Sequence, residues 1–90
     1  MDKQAPTVPS TKPIAIALAG ELVTTAEQAR RIWRMAIARN HTWLIPQAER
    51  AMRRLRAAGQ DRPVSSASLD RMMGRVNSAI AKGTGTPAEA

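Results

Sequence analysis

The fold class of this chain is decided by residues 24–40, TTAEQARRIWRMAIARN. Apolar residues recur there at intervals of three and four positions, at Ala29, Ile32, Trp33, Ala36 and Ile37. This spacing is typical of a helix with one apolar side. Thr24 followed by Glu27 fits a capping box, so we expect the helix to begin there. Asn40 is the expected stop, because Asn tolerates the left-handed backbone that ends helices.

Two further helices of the same kind are expected. One has Pro46 in its first turn and ends at Gly59. Its apolar positions are Ala48, Ala51, Met52 and Leu55. The other begins at Ser65 or Ser66, which suit a helix N-cap, and ends before Gly83. Its apolar positions are Leu69, Met72, Met73, Val76 and Ile80.

The segment 13–23 fits two structures. Ile14, Ile16 and Leu18 alternate with alanines, which is typical of a short strand. The same segment fits a short helix, with a proline in the first turn and Leu22 one turn after Leu18. Alanine is a poor strand former and no second strand candidate is apparent, so the helix is favoured and the strand stays open.

Ninety residues allow one domain. The sequence predicts an all-α fold, a small bundle of three amphipathic helices with a short N-terminal helical or strand element. We expect a disordered arm at 1–12, a single helical domain at 13–82 and a flexible tail at 83–90. The large apolar residues are few, so a homodimer that shares an interface is expected. No apolar stretch is long enough to span a membrane or to act as a signal peptide, which predicts a cytoplasmic protein.

The composition argues against catalysis. The chain has one His, no Cys and no Tyr, and its acidic residues are scattered singly. His41 lies in a predicted turn with no carboxylate near it in sequence, whereas a general base needs an orienting partner and a cleft. We therefore expect a non-enzymatic protein with no catalytic residue, no metal site and no cofactor.

The charge is the strongest functional indication. Fourteen Lys and Arg residues oppose seven Asp and Glu residues, for a net charge of +7, which points to an anionic partner. Six arginines form two rows on adjacent predicted helices: Arg30, Arg31 and Arg34, then Arg50, Arg53 and Arg54. The planar guanidinium group can donate two hydrogen bonds to phosphate oxygens. These rows therefore predict a small accessory or regulatory protein that binds nucleic acid, with DNA favoured over RNA. Glu27 and Glu49 are expected to neutralise part of each row.

The third predicted helix adds two candidate contacts, Arg71 and Arg75. They would read bases if the second and third helices formed a helix-turn-helix unit, with Ser66 and Asn77 beside them. The connection between Gly59 and Ser65 is longer than the tight turn of that motif, which counts against it.

Other functions remain open from the sequence. The arginine rows are also typical of the solvent-facing sides of amphipathic helices, which need polar residues but no partner. A basic helical face can dock onto an acidic protein partner, which would make the chain an adaptor or inhibitor, or it can belong to a structural component of a ribonucleoprotein particle. For a protein partner, the predicted contact surface is Trp43, Leu44 and Ile45, residues that could instead fasten the turn onto the core.

Overall fold

The computed structural model describes residues 13–83. Their elements are β1 (Ile16–Leu18), β2 (Glu21–Val23), α1 (Ala26–Ala38), α2 (Ile45–Ala57) and α3 (Ser66–Ala81). The described part is therefore mostly helical, with one small antiparallel sheet. The predicted arm at 1–12 lies outside the described residues, as does all of the predicted tail except Gly83.

The helix favoured for 13–23 is wrong, because this segment forms a β-hairpin. Ile16 pairs with Val23 and Leu18 pairs with Glu21. The turn between the strands has positive φ at both central positions, 50° and 80°, as in a type I′ hairpin turn. Leu18 and Val23 both point into the core and are almost fully buried. Their burial against the helices outweighs the low strand propensity of the alanines.

The N-cap of the first helix lies one residue later than predicted. Thr25, and not Thr24, is the N-cap: its hydroxyl accepts the Gln28 N–H at 3.2 Å, and the Gln28 Oε1 accepts the Thr25 N–H at 3.1 Å. The predicted Thr24–Glu27 box and the observed box both fit the S/T-x-x-E/Q pattern. The N–H of Ala26 donates to the carbonyl of Gln60 at 2.8 Å, so it is not available to a cap at Thr24.

The remaining helix ends agree with the sequence. Asn40 has a φ of 59° just after α1, and Gly59 has a φ of 77° just after α2. Pro46 lies in the first turn of α2. Ser65 is the N-cap of α3, and its hydroxyl accepts the Ser68 N–H at 3.2 Å.

The core lies between the hairpin and the three helices. Its largest fully buried side chains are Leu18, Ile32, Leu44, Leu55, Met72, Val23 and Val76. α1 is the central element, since it packs against α2, α3 and β2, while β1 packs against α2 and β2 against α3. One predicted core position is wrong: Ile37, near the end of α1, is 48% exposed.

No helix within residues 13–83 combines the length and the apolar character that crossing a membrane requires.

Candidate nucleic-acid interface

The positive charge is concentrated in the described part of the chain. Residues 13–83 hold eleven arginines, one lysine and five carboxylates, which accounts for all of the net charge of +7. Three of the five carboxylates are occupied by hydrogen bonds to other side chains: Glu21, Glu49 and Asp70. Most of the guanidinium groups therefore have no acidic side chain available to them.

The arginine row on α2 is exposed and unpaired. Arg50, Arg53 and Arg54 all point away from the buried residues of the helix and form no ion pair with any described residue. Arg53 and Arg54 lie three and four residues after Arg50, about 4.5 and 6 Å further along the helix axis. Like charges at this spacing destabilise a helix by about 0.2–0.5 kcal/mol per pair. A bound anion would offset that repulsion.

The row predicted on α1 is divided by the fold. Arg30 and Arg34 are exposed and have no partner between residues 13 and 83. Arg31 lies on the side of α1 that faces α3, where its Nη2 donates to Asp70 Oδ1 at 2.9 Å. On the same side, Arg39 Nη1 donates to Asn77 Oδ1 at 3.3 Å. Arg31 therefore helps to hold α3 against α1, whereas Arg30 and Arg34 face solvent.

A hydrogen bond links α1 to α2 next to the two arginine rows. Trp33 Nε1 donates to Glu49 Oε2 at 3.1 Å across the helix pair. Arg30 lies one turn before Trp33 on α1, and Arg53 lies one turn after Glu49 on α2. The carboxylate of Glu49 is directed at an indole and pairs with no arginine. Glu27 also forms no ion pair with any residue of the described segment, so neither row is neutralised as expected.

The two arginines of α3 have different environments. Arg75 Nε and Nη2 donate to Glu21 Oε1 and Oε2 at 3.0 and 2.7 Å, and this pairing raises the pKa of Arg75. Arg71 is exposed and pairs with nothing in the described chain. It flanks a shallow groove on the outer side of α3, with Gly74, Ser78 and Lys82.

The placement of α3 does not favour a helix-turn-helix unit. Eight residues, 58–65, connect α2 to α3. The third helix packs on α1 and β2, and α2 is not among its main neighbours. Of the proposed base-reading side chains, Arg75 is bound to Glu21 and Asn77 accepts from Arg39. These two side chains serve internal contacts.

The predicted protein-contact surface is largely part of the core. Leu44 is fully buried, so it is unavailable to a partner. Trp43 and Ile45 are half-buried and pack against the core. The Trp43 carbonyl accepts from Gln47 Nε2 at 3.1 Å, and its indole lies 5.8 Å from the His41 ring, centroid to centroid. These contacts favour the alternative in which the three residues fasten the α1–α2 turn.

Sequence reasoning missed several surface residues. Arg56 on α2 and Arg62 in the following connection are exposed and have no ion-pair partner in residues 13–83. The composition of the basic stretch 50–62 was the available indication for both. Leu22, at 65% exposure, is the most exposed large apolar side chain of the described chain. Its exposure could not be predicted from the sequence, because the second strand was not recognised.

The described residues offer little for metal or acid–base chemistry. No group of three His, Cys, Asp or Glu side chains is close enough to hold a metal ion within them. His41 lies in the α1–α2 turn, as expected, and its Nε2 is buried without a hydrogen-bond partner in the described structure.

Comparison of the chain with protein-family models, with curated proteins and with solved structures finds no match.

Proposed function

We propose that this chain is a small cytoplasmic accessory or regulatory protein that binds DNA without catalysing a reaction. Its exposed guanidinium groups contact backbone phosphates, and the sequence of the DNA is of secondary importance. In this proposal the helices are an amphipathic three-helix bundle, whose buried sides hold the fold together and whose opposite sides carry the charge. The protein acts as a homodimer and requires neither a metal nor a cofactor.

The observation that carries the proposal is the set of unpaired arginines on α1 and α2. Arg30, Arg34, Arg50, Arg53 and Arg54 are exposed, and no described carboxylate pairs with them. A chain that only needed polar helix surfaces would gain from mixing both signs of charge there. Guanidinium groups spaced about 6 Å along a helix suit the repeated charges of a phosphate backbone.

A nucleic acid fits this surface better than an acidic protein does. Protein interfaces usually draw their binding energy from a few residues, most often Trp, Tyr or Arg, that pack into desolvated pockets at the centre of the contact. Leu44 is buried, and Trp43 and Ile45 are packed against the core. The predicted anchors therefore contribute to the fold and offer little surface to a protein partner. Beside the exposed arginine rows, Ile37 on α1 is 48% exposed, one turn from Arg34. A single aliphatic side chain is a weak anchor for a protein partner, whereas phosphate recognition needs none.

Binding of a fluorescent duplex of random sequence, with heparin as the competitor, tests this proposal. We expect measurable affinity at 50 mM salt that falls steeply by 200 mM, because each phosphate contact releases condensed counterions. If DNA and RNA bind no better than heparin, and the chain captures one particular acidic protein with or without the α2 arginines, the adaptor function replaces this proposal.

A further inference from the structure

A cleft separates β1 from α2 on the side of the arginine row. Its volume is about 290 Å³, and it is lined by Ile16 and Ala17 on the strand and by Gln47, Arg50, Ala51 and Arg54 on the helix. The third arginine of the row, Arg53, does not line it. The hairpin therefore distinguishes two of the three α2 arginines from their neighbour.

The chemistry of the cleft suits an anion that carries carbon on one side. Arg50 and Arg54 lie one helical turn apart, and neither forms an ion pair with a residue of the described chain. Two guanidinium groups on one edge can donate to the oxygens of a single phosphate. The opposite wall, formed by Ile16 and Ala17, is apolar and offers no competing carboxylate. The side chain of Gln47 is held in place by its bond to the Trp43 carbonyl.

We propose that this cleft seats one phosphodiester group of the nucleic-acid backbone. Arg50 and Arg54 bind its free oxygens together, and the strand wall contacts the sugar carbons beside it. This inference rests on the proposed function and adds a fixed anchoring point to it. Arg53 then contributes only diffuse attraction, although it has the same charge and lies on the same helix.

The hairpin also takes on a role in binding. Because Ala17 lines the cleft, a larger side chain at this position should narrow it without changing the charge of the protein. Ala15 is a matched control, since it is exposed, precedes the same strand and does not line the cleft.

Single substitutions in the full chain test the anchoring point, with duplex DNA of random sequence as the probe. We expect Arg50→Gln and Arg54→Gln each to weaken binding about tenfold, the loss of a charge-assisted hydrogen bond. Arg53→Gln should weaken it only about threefold, as one diffuse contact. The Arg50/Arg54 double variant should lose less than the product of the two single losses, because both groups act on one phosphate.

The alanine variants test the shape of the cleft while the charge of the protein stays the same. We expect Ala17→Ile to weaken DNA binding severalfold and Ala15→Ile to bind like the wild type, with both chains unfolding at the wild-type urea midpoint or above it. The inference is overturned if DNA binding persists but Arg53→Gln costs as much as Arg50→Gln, and Ala17→Ile has no effect. Diffuse binding by the helix face would then remain, and the proposed function would stand.

Two further outcomes would also overturn the inference. If the wild type binds no DNA at all, the proposed function and the anchoring point fail together. If a nucleoside monophosphate displaces the duplex at micromolar concentration, the cleft belongs to a free phosphomonoester and not to the backbone. We expect no displacement at that concentration.

Discussion

Gln60 pairs with Ile14 as if the two residues faced each other in a β-sheet. Its side-chain Oε1 accepts the Ile14 N–H at 2.7 Å, and its Nε2 donates to the Ile14 carbonyl at 2.9 Å. The same Nε2 donates to the Thr24 carbonyl at 2.6 Å. One side chain therefore joins the segment that enters β1 to the segment that leaves β2. It anchors both to the end of α2.

Replacing Gln60 with Ala should lower the free energy of unfolding by about 2 kcal/mol, since it removes three bonds worth about 0.5–1.5 kcal/mol each from partly hydrated groups. Urea denaturation measures this loss. Asp61→Asn is the control, because Asp61 is exposed and has no bonding partner in residues 13–83, so its effect should stay within about 0.5 kcal/mol. Equal unfolding midpoints for the two variants would contradict the anchoring role of Gln60.

The two adjacent threonines before α1 should differ in their effect on stability. Thr25→Ala removes the N-cap and should cost about 1 kcal/mol. Thr24→Ala should cost clearly less, because its hydroxyl makes only a long contact of 3.4 Å with Gln28 Oε1. Thermal or urea unfolding of both variants distinguishes them. A larger loss for Thr24→Ala would place the cap where the sequence alone suggested it.

Substitutions of two arginines on α1, Arg31 and Arg34, should have different effects on stability and on DNA binding. Arg31 is paired with Asp70 while Arg34 is unpaired in the described chain. Arg31→Gln should lower stability by at most about 1 kcal/mol, as expected for a solvent-exposed ion pair. Arg34→Gln should leave stability within about 0.5 kcal/mol of the wild type.

DNA affinity should change in the opposite order. Arg34→Gln should weaken binding about threefold, and Arg31→Gln should weaken it less, because Arg31 is already occupied by a carboxylate. Fluorescence anisotropy with the same duplex measures both variants. Equal losses of affinity would mean that the Arg31–Asp70 pair opens on binding, contrary to this prediction.

The protein should self-associate. Few large side chains fill the core, and a chain of this size gains stability from a shared interface. Light scattering at micromolar concentration should give the mass of a dimer. A constant monomer mass across the accessible concentration range would contradict this prediction and would leave the proposed DNA contacts unaffected.

The helices were predictable from the sequence and the hairpin was not. The spacing of apolar residues and the identities of Pro46, Gly59 and Ser65 are local signals, and local signals determine helix ends. The hairpin depends on a three-residue second strand and on a turn in which Ala19 adopts a φ of 50°. Non-glycine residues rarely adopt such a φ, so the sequence Ala19-Gly20 gives a weak turn signal. The bonds of Gln60 have no local signal in the sequence, because its partners lie 36 and 46 residues away.

The candidate arginine surface was predictable as a set of residues but not as an arrangement. The sequence places Arg30 and Arg31 side by side with equal charge. Only the packing of α3 against α1 shows that Arg31 is matched with Asp70. In the same way, nothing local to Arg75 indicates that Glu21, 54 residues away, will bind it. Pairing between residues far apart in sequence determines which arginines have no acidic partner. The helical spacing of the sequence does not predict that pairing.

The salt dependence of duplex DNA binding shows whether the exposed arginines contact the phosphate backbone. If about four or five of the unpaired arginines on α1 and α2 contact phosphates, the logarithm of affinity should fall against the logarithm of salt concentration with a slope of about −4. Replacing Arg50, Arg53 and Arg54 together with Gln should reduce the slope to between about −1 and −2. Helicity should be unchanged, since Gln is also a good helix former. A triple variant that keeps the wild-type slope would contradict the claim that this face binds the backbone.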